Sequence, residues 1–214
     1  MKSVLLIGLG RFGTNVAQKL YELKHEVMAL DIHEERVNAM LPFVTRAQIG
    51  NSTDVELLKA LGVEDYDVCI VTIKDFADSL QTVSLLKELG AKAVVARAID
   101  DIHEKFLLRN GADETVYPEK QLATWTAVCF TSSHIFDYIR LDDEHSIFEV
   151  TIPDEWEGKT VEQLAVRRKY GINIMAVKED SGLNMFITPD MVLTRDKHIL
   201  VLGSIKNIKK IFNI

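Results

Sequence analysis

The run VLLIGLGRFG at residues 4–13 constrains this chain more tightly than any other segment. Apolar residues end in Gly8, Gly10 and Gly13, spaced G-x-G-x-x-G, with Arg11 inside the turn. In such a loop the first glycine permits a sharp strand-to-helix turn. The second lets backbone N–H groups approach a diphosphate, and the third lets helix and strand pack closely. The helix that follows aims its positive end at the phosphates. Here the context is supplied. An amphipathic stretch, Thr14 to Lys24, follows the loop, and the apolar run Val27 to Leu30 then closes on Asp31, 18 positions past Gly13. The fingerprint places an acid there to accept hydrogen bonds from a ribose diol.

Strand-like runs recur at Val4–Ile7, Glu26–Leu30, Thr45–Ile49, Val68–Ile73, Ala93–Ala98 and Glu114–Tyr117, each separated by one helical pattern. Connections of that length between short apolar strands demand crossovers, and crossovers give a parallel sheet covered on both faces. The expected class is α/β, a Rossmann-like doubly wound parallel sheet followed by a small α+β domain. Ligands in such sheets lie outside the carboxyl ends of the strands. The candidate contacts are therefore Gly8, Gly10, Arg11, Phe12 and Gly13, then Asp31, Ile32 and His33, Asn51 and Ser52, Ile73, Lys74 and Asp75, and Arg97, Ala98 and Ile99. The segment after Tyr117 completes the set.

From Glu119 to about Arg140 the periodicity is helical and apolar on more than one face, which suits a connector or subunit contact. Asp142–Glu144 reads as a linker. Beyond it come strand SIFEVTI, a helix from Thr160 to about Lys169, strand GINIMAVK, a tight turn at Asp180–Gly182, strands NMFIT and KHILVLG, and a short helix from Ser204 to Phe212. The expected organisation is a nucleotide-binding domain over 1–118, a crossover over 119–143 and a small domain over 144–214. A unit of about 70 residues is marginal alone, so oligomerisation is expected.

The formal charge of −7 is shared along the chain, and no basic face is set apart for nucleic acid. No apolar run has the length of a membrane span and no signal-type cleavage site follows the N-terminus, so a cytoplasmic protein is expected. Cys69 and Cys129 lack metal or redox spacing and read as small buried apolar residues. A dehydrogenase needs an acid–base residue in a substrate pocket. The second unit looks too small to make one, and its histidines, His145 and His198, sit at a linker and a strand entrance. A non-enzyme is expected. The rivals are an NAD-dependent oxidoreductase and a redox-sensing DNA-binding regulator.

The whole chain resembles the cytosolic regulatory subunits of bacterial Trk/Ktr-type potassium uptake systems, with an RCK (KTN) N-terminal domain and a TrkA-C domain, and is most similar to the KtrA-like members. The resemblance rests on GLGRFG with Arg11, on DIHEERV and GNSTD, on VARAIDDIHEKFLLRNGADETVYPE, and on the spacing of Pro189, Asp196 and Gly203. It implies a domain that binds ATP, ADP and NAD(H) as effectors. Asp31 would hold the ribose diol beside Ile32 and His33, and the lack of a basic residue immediately after Asp31 argues against a 2′-phosphate. Asn51 and Ser52 would lie near the adenine, Ile73 and Lys74 along the rim, and Arg11 and Arg97 at the phosphates. Arg97 stands where related chains carry lysine.

Glu119 matches the family's acid near the nucleotide, where Mg²⁺ or another divalent ion would separate carboxylate from phosphate. The other reading of Glu119 is a helix N-terminal acid favoured by the dipole. His103 is either a ligand contact or a solvent-facing helix residue. KtrA-type relatives bind cyclic di-AMP between two TrkA-C copies, and the matching positions are Val166, Arg167, Asn173, Ile174 and Pro189. Ile172 departs from the histidine of some relatives. The implied assembly is a homo-oligomeric ring of dimers, an octamer, on the inner face of the membrane under a KtrB- or TrkH-like potassium-translocating subunit. A ring acting on a different channel or transporter is the remaining alternative.

Overall fold

The apolar run before the glycine loop forms β1 (Ser3–Ile7), in which Val4, Leu5, Leu6 and Ile7 are all buried. A strand covered on both faces needs helices on both, and the chain alternates accordingly. After β1 come α1 (Arg11–Glu22), β2 (Glu26–Asp31), α2 (Glu34–Met40), β3 (Arg46–Ile49), α3 (Val55–Ala60), β4 (Val68–Val71), α4 (Phe76–Glu88), β5 (Val94–Arg97), α5 (Asp101–Arg109) and β6 (Glu114–Val116). The strands form one parallel sheet in the order β3-β2-β1-β4-β5-β6. This computed structural model describes residues 1–180 and 182–212.

Alternation along β1 feeds two cores. Leu5 and Ile7 join Leu30, Leu58, Val71, Val83, Leu86 and Leu107 on one face, while Val4 and Leu6 join Ala17, Val27, Ala29, Val37 and Met40 on the other. Each fully buried leucine or isoleucine contributes about 2 kcal/mol of transfer free energy. The winding reverses at β1, which pairs with β2 on one side and β4 on the other. A crevice therefore opens at the carboxyl ends of β1 and β4, the usual ligand position in this topology.

The chain divides into two units, Met1–Lys120 and Gln121–Ile214. Helix α6 (Pro118–Thr131) begins in the first. The second unit contains β7 (Ile135–Arg140), β8 (His145–Thr151), α7 (Val161–Leu164), α8 (Val166–Tyr170), β9 (Asn173–Glu179), β10 (Gly182–Asn184), β11 (His198–Ser204) and α9 (Ile205–Phe212). Its sheet is antiparallel, in the order β10-β9-β11-β8-β7, over a core of Phe148, Val150, Trp156, Ile172, Ile199, Val201 and Ile208.

Four local expectations need correction. The helix expected from Glu119 to about Arg140 stops at Thr131, and IFDYIR is a strand paired with β8. Its aromatic and β-branched residues fit a pleated surface, and Tyr138 stacks on Phe148 with centroids 5.7 Å apart. Consequently Asp142–Glu144 is no linker but the turn of a hairpin, where Asp142 accepts from the N–H groups of Glu144 and His145. The helix expected over 160–169 is broken at Ala165, which has φ +45°, after a capping box between Thr160 and Gln163. The segment NMFIT contributes only Asn184 to β10. Of the turn expected at Asp180–Gly182, Ser181 lies outside the described residues.

Candidate functional site

The crevice holds a cavity of about 590 Å³, a size that suits a nucleotide. Gly8, at φ +93°, turns the chain out of β1. The Thr72 hydroxyl donates to the Gly8 carbonyl (2.6 Å) and pins that turn to β4. A Cβ on Gly13 would run into the Gly8 carbonyl oxygen, so α1 seats against the loop only with glycine there. At Gly10 the situation is the reverse, since a Cβ would meet no atom within 4 Å. The space in front of Gly10 is the cavity itself, which Gly10 lines.

The start of α1 differs from those of its neighbours. Asp54, Asp75 and Asp100 cap α3, α4 and α5 with their carboxylates. Gly10 offers no side-chain cap to α1, and its first turn carries no acid. The N–H groups and positive dipole end of α1 are thus left for an external anion.

At the end of β2, Asp31 is buried at 6% exposure. Its Oδ2 accepts from the Leu9 N–H (2.6 Å) and its Oδ1 from the His33 N–H (2.8 Å). These bonds fix the carboxylate and leave each oxygen a lone pair for a diol. Arg36 Nη1 lies 3.6 Å from Asp31 Oδ2.

The phosphate end is set by Arg97, the last residue of β5. It is 5% exposed, its guanidinium sits 5.4 Å from the Phe12 ring centroid, and its Nη2 donates to Glu119 Oε1. The Arg97 Nε is buried with no hydrogen-bond partner. An orphaned buried donor on a cation is costly, and a ligand oxygen is its natural complement. Together Arg11, Arg36, Lys74 and Arg97 line the cavity with two carboxylates, Asp31 and Asp78, so its lining favours an anion.

Of the expected contacts, Gly8, Gly10, Arg11, Asp31, Ile32, His33, Asn51, Ser52, Ile73, Lys74 and Arg97 line the cavity. The others do not. Phe12 lies under Arg97, Gly13 packs on the loop, Asp75 caps α4, and Ala98 is buried in the core. The Ile99 N–H faces His103 Nδ1 (3.4 Å). His103 does not line the cavity and is not solvent-facing. It is fully buried between α4 and α5, with Nε2 2.7 Å from Ser79 Oγ and its ring tilted by 34° against that of Phe76, and burial holds its pKa below the ordinary value.

Glu119 is engaged by Arg97, and among the described residues no three His, Cys, Asp or Glu side chains gather to hold a metal. A divalent cation beside Glu119 would take its other oxygens from the phosphates, since Mg²⁺ is usually held by one or two carboxylates together with substrate phosphates. Cys69 and Cys129 are free and buried, and burial pushes the Cys69 thiol up to about 12.

Sequence reasoning missed Ile7, Leu30, Arg36, Gly50, Thr72 and Asp78. Most adjoin an expected segment. Arg36 lies five residues past the strand end, on α2. In the second unit, Val166 is in the core, Arg167 is exposed on α8, Asn173 and Ile174 open β9, and Pro189 lies in the loop that accepts the Glu162 N–H.

Comparisons with known proteins agree with this architecture. The TrkA-N domain family matches residues 4–118 and the TrkA-C domain family residues 146–214. The chain is 38% identical to the Ktr system potassium uptake protein C of Bacillus subtilis (strain 168), over 98% of this chain and 95% of that protein. It is 34% identical to the Ktr system potassium uptake protein A of the same organism, over 99% and 96%. Among solved structures, the GsuK channel bound to NAD superposes with a TM-score of 0.68 at 18% identity, over 96% of this chain and 38% of that one. That likeness speaks for the fold. With both domain families matched in order and relatives aligned along nearly its whole length, the chain belongs to the TrkA-N/TrkA-C family of Ktr-type potassium uptake proteins.

Proposed function

We propose that this chain is the nucleotide-sensing regulatory subunit of a potassium-uptake system, with ATP, ADP or NAD(H) as its signal and not its reactant. The observation that carries the reading is the buried Arg97 with its unpartnered Nε, in one cavity with the uncapped α1 and opposite a fixed Asp31. Asp31 takes the ribose diol, the α1 N-terminus takes the inner phosphates, and Arg11 and Arg97 meet the terminal ones. ATP and ADP differ there by the γ-phosphate. The names of the relatives supply the potassium-uptake context.

Copies of the chain assemble into a ring, an octamer by family resemblance, beneath a membrane subunit that translocates potassium. No helix among the described residues is long and apolar enough to cross a membrane, so the chain reaches the membrane through that partner. In this reading cyclic di-AMP is a second effector, held by paired second domains at Val166, Arg167, Asn173, Ile174 and Pro189. Calorimetric titration of ATP, ADP and NADH into the purified chain tests the cavity, and potassium uptake by cells carrying Arg11→Ala tests the signal. Uptake that stays fully nucleotide-responsive in Arg11→Ala rejects the proposal.

A further inference from the structure

The cations of the second unit divide into two groups. Arg140, Lys178, Arg195 and Lys197 are each ion-paired with a carboxylate. Lys159, Arg168 and Lys169 form no ion pair among the described residues, and they meet around one cavity of about 380 Å³ where α7 adjoins α8. Trp156, Leu164 and Tyr170 supply its apolar wall, Gln163 an amide and Glu155 its single carboxylate. The positions proposed for cyclic di-AMP do not line it, and it shares no lining residue with the nucleotide cavity.

A break in the helix opens this space. Ala165 turns left-handed at φ +45°, ends α7 and itself lines the cavity. A residue with a Cβ is strained there, and such strain persists where the surrounding structure over-determines it. The break brings Arg168 and Lys169 of α8 around the same space as Lys159, which precedes α7.

Charge selects the ligand. Three cations against one carboxylate leave the lining two positive charges in excess. A phosphomonoester carries about −1.5 to −2 at neutral pH and matches that excess, whereas a carboxylate brings a single charge. An arginine fork can take two phosphate oxygens while lysines supply point charges. Gln163 Oε1 already accepts from the Thr160 N–H (3.0 Å), so its amide hydrogens are left for a ligand oxygen. Lys169 Nζ lies 4.9 Å from the Tyr170 ring centroid, which sets a cation beside an aromatic surface. The volume is that of a small-molecule site.

We infer that the cavity at the α7–α8 junction is a second anion site. It takes the phosphoryl group of a small phosphomonoester between Lys159, Arg168 and Lys169, with the organic part against Tyr170.

The test is calorimetric titration of phenyl phosphate into the full chain at about pH 7.5, where the phosphate is dianionic. Benzoate serves as the singly charged control and inorganic phosphate as the control without a ring. Wild type is compared with Lys159→Ala and Arg168→Ala, both at exposed positions, and thermal melts confirm that each variant is folded. Each substitution should weaken phenyl phosphate binding about tenfold, and benzoate should bind wild type at least about tenfold more weakly. Inorganic phosphate should also bind more weakly than phenyl phosphate. In a Trp125→Phe chain, where Trp156 is the remaining tryptophan, phenyl phosphate should shift the indole emission.

A flat wild-type titration overturns the site. Binding that either substitution leaves unchanged, or heat released with constant Trp156 emission, places the ligand elsewhere and overturns it too. Benzoate binding as tightly as phenyl phosphate would leave a general anion patch. A chain that responds only to phosphatidylglycerol vesicles has a lipid-facing surface there and no small-molecule site.

Discussion

At the scale of single residues, a few atoms decide whether the loop of β1 and α1 holds at all. Gly13 approaches the Gly8 carbonyl so closely that no Cβ fits, and neither partner is a flexible side chain that can move aside. Gly13→Ala should therefore cost about 3 kcal/mol or more and abolish nucleotide binding, read by urea unfolding and titration. Gly10→Ala should leave stability nearly unchanged, because its Cβ enters open space, yet still impair binding. His103 supplies a pH-dependent prediction. Its Nδ1 accepts from the Ile99 N–H, its Nε2 hydrogen is left for Ser79 Oγ, and the Ser79 hydroxyl donates to the Phe76 carbonyl. The chain of bonds fits a neutral ring, and burial lowers the folded pKa below that of the unfolded chain, about 6.5. The unfolded state then binds more protons in acid. Stability is full above about pH 6.5 and falls as pH drops from there towards the lowered folded value. The loss in unfolding free energy from about pH 7.5 to about pH 5 should be smaller in His103→Gln than in wild type.

At the scale of elements, legibility followed the range of the forces. The glycine loop and the acid at Asp31 are local devices and could be read in the sequence, as could the alternation that gives the parallel sheet. The strand β7 could not. Residues 135–140 carry apolar positions compatible with a helix, and the register with β8 that makes them a strand depends on residues ten or so positions away. For the same reason Arg36 and the Arg97–Glu119 pair escaped, since the first acts across a helical turn and the second across two strands. His103 looked accessible because a helix wheel does not reveal which neighbour covers it. Ala165 shows a local conflict that tertiary packing overrides. At φ +45° it sits in the left-handed region between α7 and α8, costing about 1–2 kcal/mol for a residue with a Cβ. Glycine removes that strain but adds about 0.5–1 kcal/mol of chain entropy to the unfolded state. Ala165→Gly should thus stabilise the second unit by about 0.5 kcal/mol, as a small rise in urea midpoint. The opposite sign would mean that the left-handed turn is relaxed.

At the scale of the whole molecule, a cavity becomes a switch only if its occupants favour different forms of the assembly. A nucleotide that binds two forms equally shifts nothing, however tightly it binds, and moving an equilibrium from 1:99 to 99:1 takes about 5.5 kcal/mol of differential affinity. One γ-phosphate on one subunit is unlike that in scale, because a single coupling typically supplies about 1–3 kcal/mol. Several copies acting in concert reach the required sum, and this is the physical case for a ring. Light scattering of the purified chain should therefore give a mass that is a multiple of 24.2 kDa. Small-angle scattering profiles with saturating ATP and with saturating ADP should differ. Arg11 lines the phosphate end, so Arg11→Ala should make the two profiles coincide while calorimetry still detects both nucleotides. Profiles that differ as much in Arg11→Ala as in wild type would reject Arg11 as the charge sensor, and with it the proposed signal. Profiles that never differ, at full occupancy in wild type, would leave a nucleotide-binding family member whose ligand stabilises it by mass action and signals nothing.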